Sequence, residues 1–346
     1  MSKKQIPVIY LGSYCNQLCN YCDREYIKNQ IGMQVLSDDD IDHLTSIILN
    51  TETIQKNVIC FHGGEPFLYV DKIKKILDKM PSDINISILT NGTLIEKNRD
   101  FLDKYKERLS ISISYDFLQQ SINRKYNIDI FKILNILSEY NIEVSQLQWV
   151  MDPRDKNIFG IESIAHIVNL FNEYNIGRLS LIPLRHIRGG ELSVILDHID
   201  LSSFFAGFIQ YIELLYVLNI NVIIDGVEGK IDKKYFNDYK QLIFSPDGYI
   251  YPEFDFLDYK ITEARTGKWK DKNIIFFNPK EDELIYDTCS KCNKKDICGL
   301  KFLFKNFEKQ PNLNCSLFYF LLEIVIKHLN NLQSHKTLME LFDYGN

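Results

Sequence analysis

Between residue 8 and about residue 225 the chain repeats one pattern: a short apolar run, then a longer stretch with apolar residues at helical spacing. Val8–Leu11, Val58–His62, Ile84–Leu89, Ile111–Tyr115, Val144–Val150, Leu179–Leu184 and Val222–Ile224 read as strands. Ser37–Asn50, Asp71–Lys79, Ile95–Lys106, Ile128–Tyr140, Ile161–Tyr174 and Leu201–Leu218, lying between them, read as helices. Strands joined through helices run parallel, because the chain must cross back over the sheet before the next strand begins. The pattern predicts an α/β fold, a partial (β/α)6 barrel of TIM type, with its chemistry in the loops at the C-terminal ends of the strands.

After Asp225 the pattern changes. Pro246-Asp247-Gly248 lies between two apolar runs, which is a hairpin signal: proline presets φ and glycine supplies a positive one. A cysteine-containing loop rich in Lys and Asn follows from Cys289 to Cys315, then an apolar helix over Leu317–Leu329. With 346 residues the chain has room for about two domains, and the expected division is a barrel over 1–225 and a small α+β unit over 226–346. The net charge of −6 argues against a broad nucleic-acid footprint. No run of about 18 apolar residues predicts a membrane span. The segment Met1–Pro7 carries no secretory signal, so a cytoplasmic location is expected, and there spaced cysteines are read as metal ligands rather than disulfides.

Cys15, Cys19 and Cys22 fall in one loop directly after the first strand. Eight cysteines in 346 residues would give this spacing by chance about 0.4 % of the time, on composition alone. Three thiolates at these offsets can hold one face of a cubane cluster and leave one iron without a protein ligand. A zinc knuckle is the alternative, but zinc wants a fourth Cys or His close by, and none lies between Asn16 and Asp42.

Further along, Gly63-Gly64-Glu65-Pro66 follows the second strand, Thr90-Asn91-Gly92 the third, and Ser112-Ile113-Ser114-Tyr115-Asp116 the fourth. Paired glycines let a backbone approach a ligand closely, and a carboxylate beside them can take an ammonium group. The cysteine loop, with Tyr21 just before its third cysteine, resembles the CxxxCxxC signature of the radical S-adenosylmethionine (SAM) superfamily, and the other three segments resemble its GGEP, TNG and SxDG motifs. Phe117 stands where glycine is usual in the last of these. The resemblance implies a [4Fe–4S] cluster on Cys15, Cys19 and Cys22, and SAM held around Tyr21, Gly63, Gly64, Glu65 and Asn91, with Ser114 and Arg124 as hydroxyl and carboxylate contacts. It also implies an electron donor such as flavodoxin or ferredoxin.

In the C-terminal part Cys289, Cys292, Cys298 and Cys315 give CxxC, then a third cysteine after five residues and a fourth after sixteen. Spacing alone fits a [4Fe–4S] cluster or a structural zinc equally. Hairpin and cysteines together resemble the SPASM/Twitch extension of radical SAM enzymes, which implies a second cluster. Glu253 and Phe302 occupy positions where a full SPASM unit has further cysteine ligands, so only the distal of its two clusters is expected. Such extensions occur most often on maturases of peptides and proteins. The implied activity is an oxidative crosslink or related modification of a ribosomal peptide. The implied partners are that peptide or protein and a separate leader-binding protein. A small-molecule dehydrogenase or cyclase, a peptide epimerase and a non-enzymatic zinc module are the alternatives. Cys60 is read as a packing cysteine, with hydrogen donation to a substrate radical as its other role. His62, Arg185, His186 and Arg188, at strand ends, are candidate contacts to substrate or SAM.

Overall fold

The computed structural model describes residues 4–22, 34–152, 158–183, 201–224, 241–251, 265–270 and 275–276. Eleven strands form one sheet. In chain order they are β1 Ile6–Tyr10, β2 Val58–His62, β3 Asn85–Thr90, β4 Leu109–Ser114, β5 Glu143–Met151, β6 Leu179–Pro183, β7 Val222–Ile224, β8 Gln241–Phe244, β9 Tyr249–Tyr251, β10 Gly267–Lys268 and β11 Ile275–Phe276. The spatial order is β11-β10-β9-β8-β1-β2-β3-β4-β5-β6-β7. From β8 through β7 every pairing is parallel; β9, β10 and β11 continue antiparallel. The seven expected strands are present, each within about two residues of its expected bounds.

Because β1 to β7 lie side by side in chain order, right-handed crossovers put every connecting helix on the same face, as in a barrel wall. The larger helices are α1 Asp38–Asn50, α2 Val70–Leu77, α3 Arg99–Tyr105, α4 Gln120–Asn123, α5 Ile130–Glu139, α6 Ile161–Glu173 and α7 Leu201–Val217. Helix α1 starts where Ser37 Oγ accepts from the Asp40 N–H at 3.1 Å and Asp40 Oδ2 accepts from the Ser37 N–H at 2.9 Å. This reciprocal cap satisfies two N–H groups that the helix itself cannot.

The helix-covered face is a continuous apolar core. Ile59 and Phe61 of β2, Ile86 and Ile88 of β3, Ile111 and Ile113 of β4, and Leu147, Trp149 and Met151 of β5 all pack in it. The alternate residues point to the concave face. There β2 presents Cys60 and His62, β3 Ser87 and Leu89, β4 Ser112 and Ser114, β5 Gln148 and Val150, and β6 Ser180 and Ile182. Barrel interiors are usually filled by branched apolar side chains. This one is polar, and most of these groups keep partial access to solvent.

The division expected at 225/226 lies outside the described residues. Beyond it, β8 joins the barrel sheet by pairing parallel with β1, Ile6 opposite Gln241 and Ile9 opposite Phe244. The Pro-Asp-Gly turn behaves as its residues require: Gly248 has φ +88° and its N–H donates to the Ser245 carbonyl at 3.0 Å. Trp269, next to β10, is fully buried, donates its indole N–H to the Ser245 carbonyl at 2.9 Å and stacks on His43 of α1. The expected helix Leu317–Leu329 lies outside the described residues. Among them, no helix is long and apolar enough to cross a membrane.

Candidate functional site

Strand β1 ends at Tyr10 and delivers the cysteine loop to the C-terminal edge of the sheet. The loop is fixed by its neighbour, the end of β2. Gly64 N–H donates to Gly12 O at 2.8 Å and Glu65 N–H to Tyr14 O at 3.0 Å, while the Tyr69 hydroxyl accepts from Tyr14 N–H at 3.0 Å. Gly63 has φ +147°, and a Cβ on Gly64 would overlap the Tyr14 carbonyl and stand 2.8 Å from Ser13 O. The glycine pair therefore permits a close backbone approach, as expected, and the group approached is the chain's own cysteine loop.

Glu65 is fully buried. Its Oε1 accepts from Phe67 N–H at 3.1 Å and Thr90 Oγ1 at 2.7 Å, and its Oε2 from Asn91 N–H at 2.8 Å. One carboxylate thus joins the turns after β2 and β3. Asn91 then reaches the cysteine loop: its Nδ2 donates to Asn16 Oδ1 at 2.9 Å and lies 3.6 Å from Cys15 Sγ.

The third anchor sits after β4. Arg124 Nε donates to Asp116 Oδ2 at 2.8 Å and its Nη2 to Oδ1 at 3.2 Å, a two-pronged pair whose side chains are 4 % and 0 % exposed. The Tyr21 hydroxyl donates to Asp116 Oδ2 at 2.7 Å and accepts from Arg124 Nη2 at 2.6 Å. Burial would lower the Arg124 pKa, but the Asp116 charge outweighs it and holds the guanidinium protonated well above its usual range. Burial raises the Tyr21 phenol well above its ordinary value, against the pull of Arg124. Arg124 and Tyr21, expected from the resemblance to contact SAM, here bind one another through Asp116. Phe117 takes the left-handed backbone usual for glycine, φ +50°, and its buried ring packs on Tyr115 and Trp149 at centroid distances of 5.0 Å.

Cys19 is buried; Cys15 and Cys22 are half-buried, and none of the three is in a disulfide. Burial pushes the Cys19 thiol up to about 12, opposed by Arg124 and reinforced by Cys22 and Cys15. Loading a metal centre there must therefore release a proton. Among the described residues no three Cys, His, Asp or Glu side chains converge on one metal ion. A polynuclear cluster needs no such convergence, because each of three irons takes one thiolate, whereas zinc does need it. Two amide donors, Gln120 Nε2 and Asn123 Nδ2, are buried without a hydrogen-bond partner on helix α4, and the Asn123 carbonyl accepts from Asn20 N–H at 2.8 Å within the cysteine loop. The residues present thus fit an iron–sulfur cluster on Cys15, Cys19 and Cys22.

Cys60 lies two residues before the end of β2 on the concave face, in step with His62, and is half-buried, while its neighbours Ile59 and Phe61 pack in the core. Burial raises its thiol to about 11, and Ser87 hydrogen-bonds it. His62, on the same face, accepts from Gly63 N–H at Nδ1, 2.8 Å. Ser114 stands beside Gln148 in register. Arg185, His186, Arg188, Cys289, Cys292, Cys298 and Cys315 lie outside the described residues. No local pattern marks Gln17, whose side chain brackets the Tyr126 backbone with bonds of 2.8 and 2.9 Å and so closes the far side of the loop.

Residues 9–156 match the Radical SAM superfamily. Residues 9–156 thus carry a radical SAM domain. The family implies a [4Fe–4S] cluster and SAM at this site. The chain is 20 % identical over 190 residues to the serine-type anaerobic sulfatase-maturating enzyme of Bacteroides thetaiotaomicron, covering 50 % of this chain and 44 % of that one. It is 28 % identical over 178 residues to the 7-carboxy-7-deazaguanine synthase of Clostridium acetobutylicum, covering 51 % and 76 %. The match to the first of these spans less than half of that relative's length. Two solved structures share the fold. anSMEcpe with bound AdoMet has TM-score 0.62 and 18 % identity over 95 % of this chain and 96 % of that one. SuiB of Streptococcus suis bound to its precursor peptide SuiA has TM-score 0.60 and 18 % identity over 91 % and 76 %.

Proposed function

We propose that this radical SAM enzyme is a maturase that modifies a peptide or protein, by an oxidative crosslink or a related change to a side chain. The observation that carries the reading is the cysteine loop held by three anchors from successive strand ends, Gly64–Glu65, Asn91 and the Asp116–Arg124 pair. A [4Fe–4S] cluster held in that loop would supply the chemistry of one-electron reductive cleavage of SAM, the electron coming from an external donor such as flavodoxin or ferredoxin. The chain's part is positional. Cys15, Cys19 and Cys22 hold the cluster, Gly63 and Gly64 bring the β2 turn against it, and Ser114 leaves a hydroxyl open on the concave face for SAM. Peptide substrates are supported by the likeness to SuiB, whose solved complex contains a precursor peptide.

The C-terminal part is proposed as a Twitch-like unit with a second cluster on Cys289, Cys292, Cys298 and Cys315. Four thiolates fill its shell, so it passes electrons or braces the fold rather than binding substrate. Small-molecule chemistry is the second reading, favoured by the match to a deazaguanine synthase. Anaerobic reconstitution should give about eight irons per chain. Incubation with SAM, reductant and a short peptide encoded beside the gene should lower the peptide mass by two hydrogens. About four irons with bound zinc would remove the second cluster. Unchanged mass with solvent deuterium incorporated would make the reaction an epimerisation.

A further inference from the structure

The turn after β3 is tied to the cysteine loop by a closed ring of side chains. The chain bends at Gly92, φ +80°, and Asn91 Oδ1 accepts from the Thr93 N–H at 3.0 Å, a turn that asparagine makes readily with its own backbone. The same oxygen accepts from the Thr93 hydroxyl at 2.6 Å. That hydroxyl accepts from Asn16 Nδ2 at 2.7 Å, and Asn16 Oδ1 accepts from Asn91 Nδ2 at 2.9 Å, which closes the ring. The ring fixes the Asn91 amide: its oxygen holds two donors, so its nitrogen faces the loop. One hydrogen of that nitrogen goes to Asn16. The other meets Cys15 Sγ, with nitrogen and sulfur 3.6 Å apart, an ordinary length for the larger sulfur atom. The Gln17 N–H donates to the same sulfur at 3.4 Å, and the Gln17 side chain, clasped on the Tyr126 backbone, holds that N–H in place. Asn91 is buried, and its own N–H is tied to Glu65 Oε2 at 2.8 Å, so the donor is aimed from a fixed backbone.

We infer that Asn91 is a positioning residue that acts on the cluster through Cys15, and that its side-chain amide raises the cluster's reduction potential. This rests on the assignment of a [4Fe–4S] cluster to Cys15, Cys19 and Cys22, and it gives Asn91 a task apart from any contact with SAM. Reduction adds one negative charge to a cluster whose thiolate ligands already share negative charge. An N–H aimed at a ligand sulfur stabilises the more negative state more, so the cluster accepts its electron more readily. Hydrogen bonds to the sulfurs are among the levers that set iron–sulfur potentials, and groups behind the ligands are the ones that apply them. Because the ring already holds the amide in place, little reorganisation opposes the effect. The ring also says which neighbour matters. Thr93→Val keeps the shape of the side chain and removes two of the ring's bonds, whereas Thr93→Ser keeps both.

The test is the midpoint potential of the reconstituted full chain, followed by electron paramagnetic resonance in a redox titration without SAM. The signal to follow is the one that Cys15→Ala loses. Asn91→Ala should lower the equilibrium constant for reduction by about threefold or more, the scale of one modest hydrogen bond. For one electron, threefold is ~28 mV, taking 59 mV per tenfold. Thr93→Val should lower the potential by less, and Thr93→Ser should return it to the wild-type value. Should Asn91→Ala take up too little iron to titrate, the wild type still decides: with asparagine labelled with heavy nitrogen in its side chain, the reduced cluster should show a hyperfine coupling to that nitrogen. An unchanged or raised midpoint in a loaded Asn91→Ala, or no such coupling in wild type, would each overturn the inference. Iron content and 5′-deoxyadenosine formation by wild type test the cluster assignment separately. A wild type that binds no cluster removes that assignment and the inference with it, whereas a loaded chain with an unmoved potential removes the inference alone.

Discussion

The Asp116–Arg124 pair should be the costliest single point of the site to disturb. Its side chains are 0 % and 4 % exposed, the two bonds are 2.8 and 3.2 Å, and Asp116 also accepts from Tyr21 and from Val150 N–H at 3.2 Å. Removing one partner of such a pair leaves a buried charge uncompensated, a loss of about 3–5 kcal/mol. Asp116→Asn keeps the shape but not the charge, and Arg124→Met keeps the stem but not the guanidinium. In urea unfolding of the cluster-free protein, with a slope of about 2–3 kcal/mol/M, either change should lower the midpoint by about 1–2 M. The double variant should be less destabilised than the sum of the singles, by a coupling of at least about 2 kcal/mol. Because Tyr21 hangs on the pair between Cys19 and Cys22, iron content after reconstitution should fall in both single variants. Additive losses, with coupling under about 0.5 kcal/mol, would refute the reasoning.

Gly64→Ala must push the Cys15 loop aside at its Tyr14 carbonyl, and iron loading should drop severalfold in colorimetric iron assay. Phe117→Gly relieves a left-handed backbone, about 1–2 kcal/mol, but empties a buried aromatic site, about 3–5 kcal/mol. The net expectation is a loss of about 2–3 kcal/mol in chemical denaturation, and a gain in stability would mean the ring packing contributes little. The Cys60 thiol, raised to about 11 by burial, stays protonated through neutral pH. Iodoacetamide should therefore label it at pH 8 one to two orders of magnitude more slowly than an ordinary thiol, with the rate climbing toward pH 11. The linkage has the same sign: an acid whose folded pKa is raised favours the folded state below its unfolded pKa, and that contribution fades as pH rises past about 9 toward 11.

The parallel sheet was legible because apolar runs and helical spacing alternate without interruption, and Ser37 marks its helix start by a cap with a known mechanism. The cysteine loop and the three motif turns were legible as chemistry. Their mutual geometry was not: nothing local shows that Glu65 bonds the Asn91 backbone or that Arg124 reaches Tyr21, since these contacts span 26 and 103 residues. The pairing of β8 with β1 was hidden for the same reason, because Gln241–Phe244 reads locally as one arm of a hairpin. The polar concave face also has a local signal in β4 and β5. Serine and glutamine at period two in strands of a parallel sheet mark a face that is not packed.

The reconstituted chain, reduced with dithionite under anaerobic conditions in the presence of SAM, should form 5′-deoxyadenosine detectable by chromatography and mass spectrometry. Cys15→Ala, Cys19→Ala and Cys22→Ala should each abolish it, because three thiolates are the fewest that hold a cluster with one open iron. SAM cleavage undiminished in any of the three variants would contradict the claim that this loop is where the chemistry begins.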